Sequence, residues 1–345
     1  MVQNIEDAHF LPEAILQQLP GGLIIFPGLV NAHDHLEFND FPLLANRRYD
    51  DYIEWGDDIH IHHRDVIQEV IKTDKRVRMF RGILKNLLNG FTKVVHHGFD
   101  HREVVGFTKY PLWTDYQYVH APATDPYWKL KINIPWRRPF MIHAGEGVSQ
   151  RVRKEIGQVL KANLLGRRII GIHAIGITPE EAGGFHGIVW CPASNQALYG
   201  TTMDAQSLKG TTSLLFGTDS TVSASANVWD HFQLIIQQGW MDPGQLLELL
   251  QQTRSFFNAS PLQKDWVIAR RKAATPIQSF FELSPADLML VVIDGQTWLC
   301  DDALPIGLRP PGGGRIAVGS TRKWIPEELY RECGLTTANH WFSEK

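Results

Sequence analysis

Four segments of this chain share one design: an apolar run without polar alternation that stops at a histidine or an aspartate. Leu29-Val30 leads to His33 and His35, and Phe140-Met141-Ile142 stops at His143. Ile169-Ile170-Gly171-Ile172 stops at His173, and Leu214-Leu215-Phe216 leads through Gly217-Thr218 to Asp219. Strands of this kind are buried on both faces, as in a parallel sheet covered by helices. Helical patterns fall between them, over 149–164, from Thr178, over 228–238 and over 242–252. The alternation says α/β, and a tally of seven or eight strands says a (β/α)8 barrel.

The rest of the chain fits around that barrel. Residues 1–26 read as a leading peptide plus a strand, associated with a small β element elsewhere. The barrel is expected over 27–281. Within it, 50–63 is acidic and histidine-rich and reads as a solvated loop or lid. A single helix is expected from Asp65 to Leu88, closing at Gly90 as a left-handed cap. Phe91 to Gly98 reads as a strand. Residues 100–138 are irregular: Tyr116 to Ala121 alternates like a strand, Leu130 to Ile134 is a weaker candidate, and four prolines interrupt the stretch. Residues 282–345 form a C-terminal β element and tail, with strands near 286–295, 298–300 and 314–319.

Composition narrows the function. The 345 residues are 43% hydrophobic and 21% charged, which describes a globular chain. A net charge of −3 with both signs mixed argues against a nucleic-acid or membrane surface. The three cysteines, Cys191, Cys300 and Cys333, are widely spaced and make no disulfide framework, which suits a reducing, cytoplasmic setting. Histidine is the oddity, with 15 against 8 tyrosines.

In a parallel barrel the C-terminal ends of all strands open on one face, so His33, His35, His143, His173 and Asp219 converge there. His33 and His35, two apart on a strand, aim at one point. Imidazoles with one carboxylate suit zinc, or iron, with a position left open for water. Asn195 reads equally as a substrate contact or as a loop-fixing amide, and Glu37 and Asn39, just beyond the first two histidines, could contact substrate. His96, His97 and His120 line the pocket or satisfy backbone groups. Cys191 reads as a packed thiol.

The motifs Pro27-Gly28-Leu29-Val30-Asn31-Ala32-His33-Asp34-His35, Ile142-His143-Ala144-Gly145-Glu146, Gly171-Ile172-His173, Cys191-Pro192-Ala193-Ser194-Asn195 and Phe216-Gly217-Thr218-Asp219-Ser220 resemble the amidohydrolase superfamily. The resemblance spans about 23–275 and is strongest to the branch of triazine hydrolases and of cytosine and guanine deaminases. It implies that His33, His35, His143 and Asp219 hold one divalent metal. It further implies that His173 binds the attacking water or the substrate oxygen, that Asp219 accepts a proton, and that Glu146 delivers one to the leaving group. The C-terminal β element is similar to the composite sandwich of these enzymes, with its N-terminal half nearly absent. Binuclear members carry a modified lysine on the fourth strand. Lys129 and Lys131 sit at no strand end, so one metal is expected.

The function expected is hydrolysis of a carbon–nitrogen bond in a small cyclic or amidine substrate, in the manner of a deaminase. Ring or amide opening of an imidazolone-type substrate is the enzymatic alternative, and a degenerate ligand-binding barrel the non-enzymatic one. The partner expected is a small molecule, with no nucleic acid and no membrane, and the assembly leaves room for a homodimer.

Overall fold

The computed structural model describes residues 2–8, 11, 13–98, 104–258, 264–335 and 340–341; the end of the tail beyond 341 lies outside the described residues. The apolar run before the first histidines is two strands, β1 (Leu23–Pro27) and β2 (Leu29–Asp34), which enter different sheets. Pro27 and Gly28 make the break. A Cβ at Gly28 would lie 2.1 Å from Thr92 Cγ2, so only glycine passes there.

β2 lies parallel to β3 (Phe91–His96). A second parallel sheet runs in chain order through β4 (Gln117–Tyr118), β5 (Phe140–Ala144), β6 (Ile169–His173), β7 (Gly187–Trp190) and β8 (Ser213–Phe216). The two sheets meet where Asp219 N donates to the His33 carbonyl at 3.0 Å and Thr218 N donates to Asn31 Oδ1 at 3.0 Å. Val94 and Leu112 form an isolated parallel bridge beyond β3. Val30, Ala32, Val95, Met141, Ile172 and Leu215 share one buried apolar cluster between these strands.

The remaining sheet is eight-stranded and almost wholly antiparallel. It joins β1 to β9 (Trp266–Arg270), then β10 (Leu288–Ile293), β11 (Gln296–Asp301) and the β12–β13 hairpin (Gly314–Val318 and Thr321–Ile325), with Gln3–Asn4 and His340–Trp341 at its edges. This sheet starts earlier than residue 282, because β9 pairs with β10 on one side and β1 on the other. No helix among the described residues is long and apolar enough to cross a membrane.

Three local expectations are corrected. Residues 50–63 are largely helical: α1 (Tyr52–His62) starts where the Asp51 carboxylate accepts from Ile53 N and Glu54 N, both at 3.1 Å. The helix expected from Asp65 is divided into α2 (Arg64–Ile71) and α3 (Lys75–Leu88), because Asp74 Oδ1 accepts from Arg76 N at 2.8 Å and starts a new helix. The weak strand candidate at 130–134 overlaps a helical turn, Trp128–Ile132, whose apolar Trp128 and Ile132 are its buried residues. Capping boxes at Thr178/Glu181 and Asp242/Gln245 form as their spacing predicts, and Gly90 takes φ 73°.

Gly28→Ala should lower unfolding free energy by about 1–3 kcal/mol through overpacking against Thr92. Urea unfolding checks this, and Thr92→Ala in the same chain should recover part of the loss.

Candidate metal centre

The β strands deliver their terminal residues to one place. The His33 ring lies 4.8 Å from His35, 4.9 Å from His143 and 5.8 Å from His173, centroid to centroid. Asp219 Oδ1 is 3.8 Å from His33 Nε2. Donor atoms of His33, His35 and His143 fall within 4.8 Å of one another, as do those of His33, His173 and Asp219, and those of His143, Glu146 and His173. All of these side chains are buried. His97 and His120 join them, 4.6 and 4.5 Å from the His143 ring. Both stand just past β3 and β4, so they obey the strand-end rule that singled out the others.

Most of the donors are fixed from behind. His143 Nδ1 donates to the His120 carbonyl at 2.9 Å, which leaves its Nε2 lone pair free. His173 Nδ1 lies 2.8 Å from Asn195 Oδ1, and the Asn195 amide nitrogen donates to Thr202 Oγ1 at 3.0 Å, so the amide is oriented to accept from the imidazole. Asp219 Oδ1 accepts from Ser220 N at 2.8 Å; Oδ2 accepts from Ser194 Oγ at 2.8 Å and Ser223 Oγ at 2.9 Å. His173 and Asp219 both take positive φ, 67° and 59°, a strained backbone that neighbouring groups must hold. For Asp219 the holders are Thr218 Oγ1 and Lys85 Nζ, which donate to its carbonyl at 2.8 and 3.3 Å.

Lys85 belongs to a polar cluster beneath the site. Its Nζ lies 2.9 Å from Asp34 Oδ2, which also accepts from Asn86 Nδ2 at 2.6 Å, while Asn31 Nδ2 donates to Thr218 Oγ1 at 2.7 Å. Lys85 and Asn86 lie among the apolar residues of α3, and a lysine-asparagine pair on a buried helical face was the available sequence signal.

Of the three expected substrate contacts, Asn195, Glu37 and Asn39, none is among the residues that line the cavity over the site, and each is engaged by neighbouring groups. The Asn195 amide is spent on His173 and Thr202. Asn39 Nδ2 donates to Asp34 Oδ1 at 2.8 Å, and its Oδ1 accepts from Thr221 N at 3.3 Å. Glu37 is buried, 3.8 Å from His96 Nε2 and 3.9 Å from Lys75 Nζ. Lys131 pairs with Asp125 and Lys129 lies over the Trp128 ring, both away from the strand ends.

Burial pushes His33 and His143 well below the ordinary imidazole range, so both present neutral rings at neutral pH. Burial alone would raise the Asp219 carboxyl, but His33, His35, His173 and the Ser194 hydroxyl outweigh it and hold the group low. Glu146 is pushed up by burial, and Tyr199 Oη donates to its Oε1 at 2.8 Å. Both ring nitrogens of His33 are buried without a hydrogen-bond partner among the described residues. Unpartnered buried nitrogens are costly, and a cation relieves them. Neutral imidazoles beside an ionised carboxylate are the donor set a divalent transition metal takes, so the residues fit the group.

Over the site lies a cavity of about 630 Å³, with His35, His143, Glu146 and Asp219 at its floor.

No sequence-family model matches the chain, and no curated protein matches it. Solved structures do: the chain shares its fold with deaminases and a triazine hydrolase. One is an adenosine deaminase from Xanthomonas campestris with bound zinc, 16% identical at TM-score 0.59, over 82% of each chain. A guanine deaminase from C. acetobutylicum with guanine in its active site is 15% identical at TM-score 0.58, over 83% of this chain and 90% of that one. The atrazine chlorohydrolase TrzN from Arthrobacter aurescens TC1, complexed with zinc, is 14% identical at TM-score 0.57, over 80% and 84%. At these identities the likeness is one of fold.

Lys85→Met should cost about 3–5 kcal/mol, because it strands the buried Asp34 carboxylate. Urea unfolding measures this, and Lys85→Met with Asp34→Asn should lose less than the single variant. Glu155, beside the site, accepts from Tyr52 Oη at 2.9 Å and is pushed by burial from 4.5 up to about 7. Its pKa is higher folded than unfolded, so between those values the unfolded chain binds fewer protons and stability falls as pH rises. Glu155→Gln should flatten that fall in denaturation curves taken from about pH 4.5 to 7.

Proposed function

We propose that this chain is a metal-dependent hydrolase that cleaves a carbon–nitrogen bond of a small cyclic or amidine substrate and releases ammonia. The observation that carries this reading is the orphaned pair of nitrogens on His33, set among neutral imidazoles and one carboxylate at the floor of a cavity. The architecture that goes with it is a closed eight-stranded (β/α) barrel, with the antiparallel sheet as an accessory β element. The β8–β2 junction at Asp219 and His33 and the Val94–Leu112 bridge support that closure.

His33, His35, His143 and Asp219 would hold one divalent metal, zinc before iron on donor type. A metal bound there supplies Lewis acidity that brings the pKa of water towards about 7. Asp219, ionised and held by two serine hydroxyls, takes the proton from the attacking water. Burial pushes the Glu146 carboxyl up, and because Tyr199 donates to Oε1, the oxygen that would carry a proton is Oε2, 3.7 Å from His173 Nε2. From there it protonates the departing nitrogen. His173, its Nδ1 held by Asn195, would present Nε2 to the attacking water or the substrate oxygen. A cytoplasmic setting suits three buried, unpaired cysteines.

Metal analysis of the purified protein should find about one divalent ion per chain, and a screen of purines, pyrimidines, triazines and amidines should find ammonia released. Asp219→Asn should abolish turnover with the fold intact, and Glu146→Gln should lower kcat by about 10²–10⁴-fold while retaining the metal. A new carboxylate without ammonia would transfer the reading to ring opening. A metal content near zero would end it.

A further inference from the structure

The cavity over the site is larger than the reacting ring needs, and its walls have a definite character. About 630 Å³ falls in the range of pockets that enclose drug-sized ligands, roughly 300–1,000 Å³. Away from the floor the wall comes from the segments after β2 and β8 and from α1 and α2, through Phe41, Val222, Trp55, Ile59, Ile67 and Ile71. Among the described residues no lysine or arginine lines it, and its polar wall residues are His60, Gln68 and Thr124. The polar ends of its aromatic residues are spent elsewhere: Trp55 Nε1 donates to the Leu44 carbonyl at 2.9 Å, and the Tyr52 hydroxyl donates to Glu155. Among the described residues a phosphate or carboxylate placed here would find no lysine or arginine.

The helix α2 has no buried residue, yet its Ile67 and Ile71 face the cavity, and Ile71 is 45% exposed. An amphipathic helix normally buries its apolar stripe against a core. Here the stripe lies against an open cavity that is continuous with the strand-end site.

Resting on the hydrolase reading above, we infer that the substrate is an uncharged amino-bearing ring that carries an apolar substituent of several carbons. The ring sits over His35, His143 and Asp219, and the substituent lies against α1 and α2. Recognition then comes from burial of hydrocarbon, and the substituent covers the stripe of α2.

The test uses the zinc-loaded protein with two ring series, 9-alkyladenines and 2-alkyl-4-amino-1,3,5-triazines, from methyl to hexyl. Ammonia release gives kcat/KM, and calorimetric titration gives Kd. In at least one series Kd should fall by about fourfold per added methylene until the groove is filled, and an ω-carboxyl on the hexyl chain should cancel the gain. Ile71→Asn, at a position 45% exposed, should reduce the chain-length dependence without moving the melting temperature. Kd that is flat with chain length in both series, or no binding at all, overturns the inference. Ammonia released at equal kcat/KM across both series overturns it while the hydrolase reading survives. A sloped Kd with no ammonia from any member keeps the apolar subsite and rejects the deaminase reading.

Discussion

The structure turns on a crowd of uncharged imidazoles at the ends of parallel strands. Six histidine rings lie within about one ring's width of a neighbour, and the one at the centre, His33, has no hydrogen-bond partner for either nitrogen among the described residues. Burial pushes His33, His97, His120 and His143 below the ordinary imidazole range, which leaves lone pairs in a common volume. Such a cluster is costly as a packing solution and sensible as a ligand set. The serine pair on Asp219, the Asn195 amide on His173 and the His120 carbonyl on His143 each fix a donor that would otherwise turn away.

A second constraint lies one layer down. Asp219 can present its carboxylate only with a left-handed backbone, and the groups that hold its carbonyl, Lys85 and Thr218, are themselves tied to Asp34, Asn86 and Asn31. This polar cluster joins β2, β8 and α3 at the junction of the two parallel sheets. Strain at the site and a satisfied buried ion pair are two parts of one arrangement.

The division between floor and wall is equally physical. The floor is made of strand ends, where the backbone fixes each side chain to within a rotamer. The wall is made of α1, α2 and the segment after β2, which pack as a small satellite cluster around Phe41, Leu44, Ile59 and Val222. Chemistry therefore rests on the rigid part of the fold and selectivity on a part that can vary without disturbing it.

Much of the floor was legible in the sequence. An apolar run ending in histidine is a local pattern, and parallel strands convert equal places along a strand into proximity in space, so His33, His35, His143, His173 and Asp219 could be found without coordinates. The capping boxes at Thr178 and Asp242 were legible for the same reason, since each is completed within four residues. The roles of Asn195, Glu37 and Asn39 were not legible, because an amide or carboxylate near a site can serve a substrate or a neighbour, and only the packing shows the neighbours each one engages. The helix at 52–62 was taken for a loop because its acidic and histidine-rich sequence hides an amphipathic pattern that Asp51 caps. What the sequence determined by itself was the set of side chains at the strand ends. Only the tertiary structure decided which of them are held, by Lys85, Asn195 and Ser194 across 22 to 134 residues of chain, and that apolar side chains of α1 and α2 stand above them, because those contacts join elements whose order along the chain does not encode their distance.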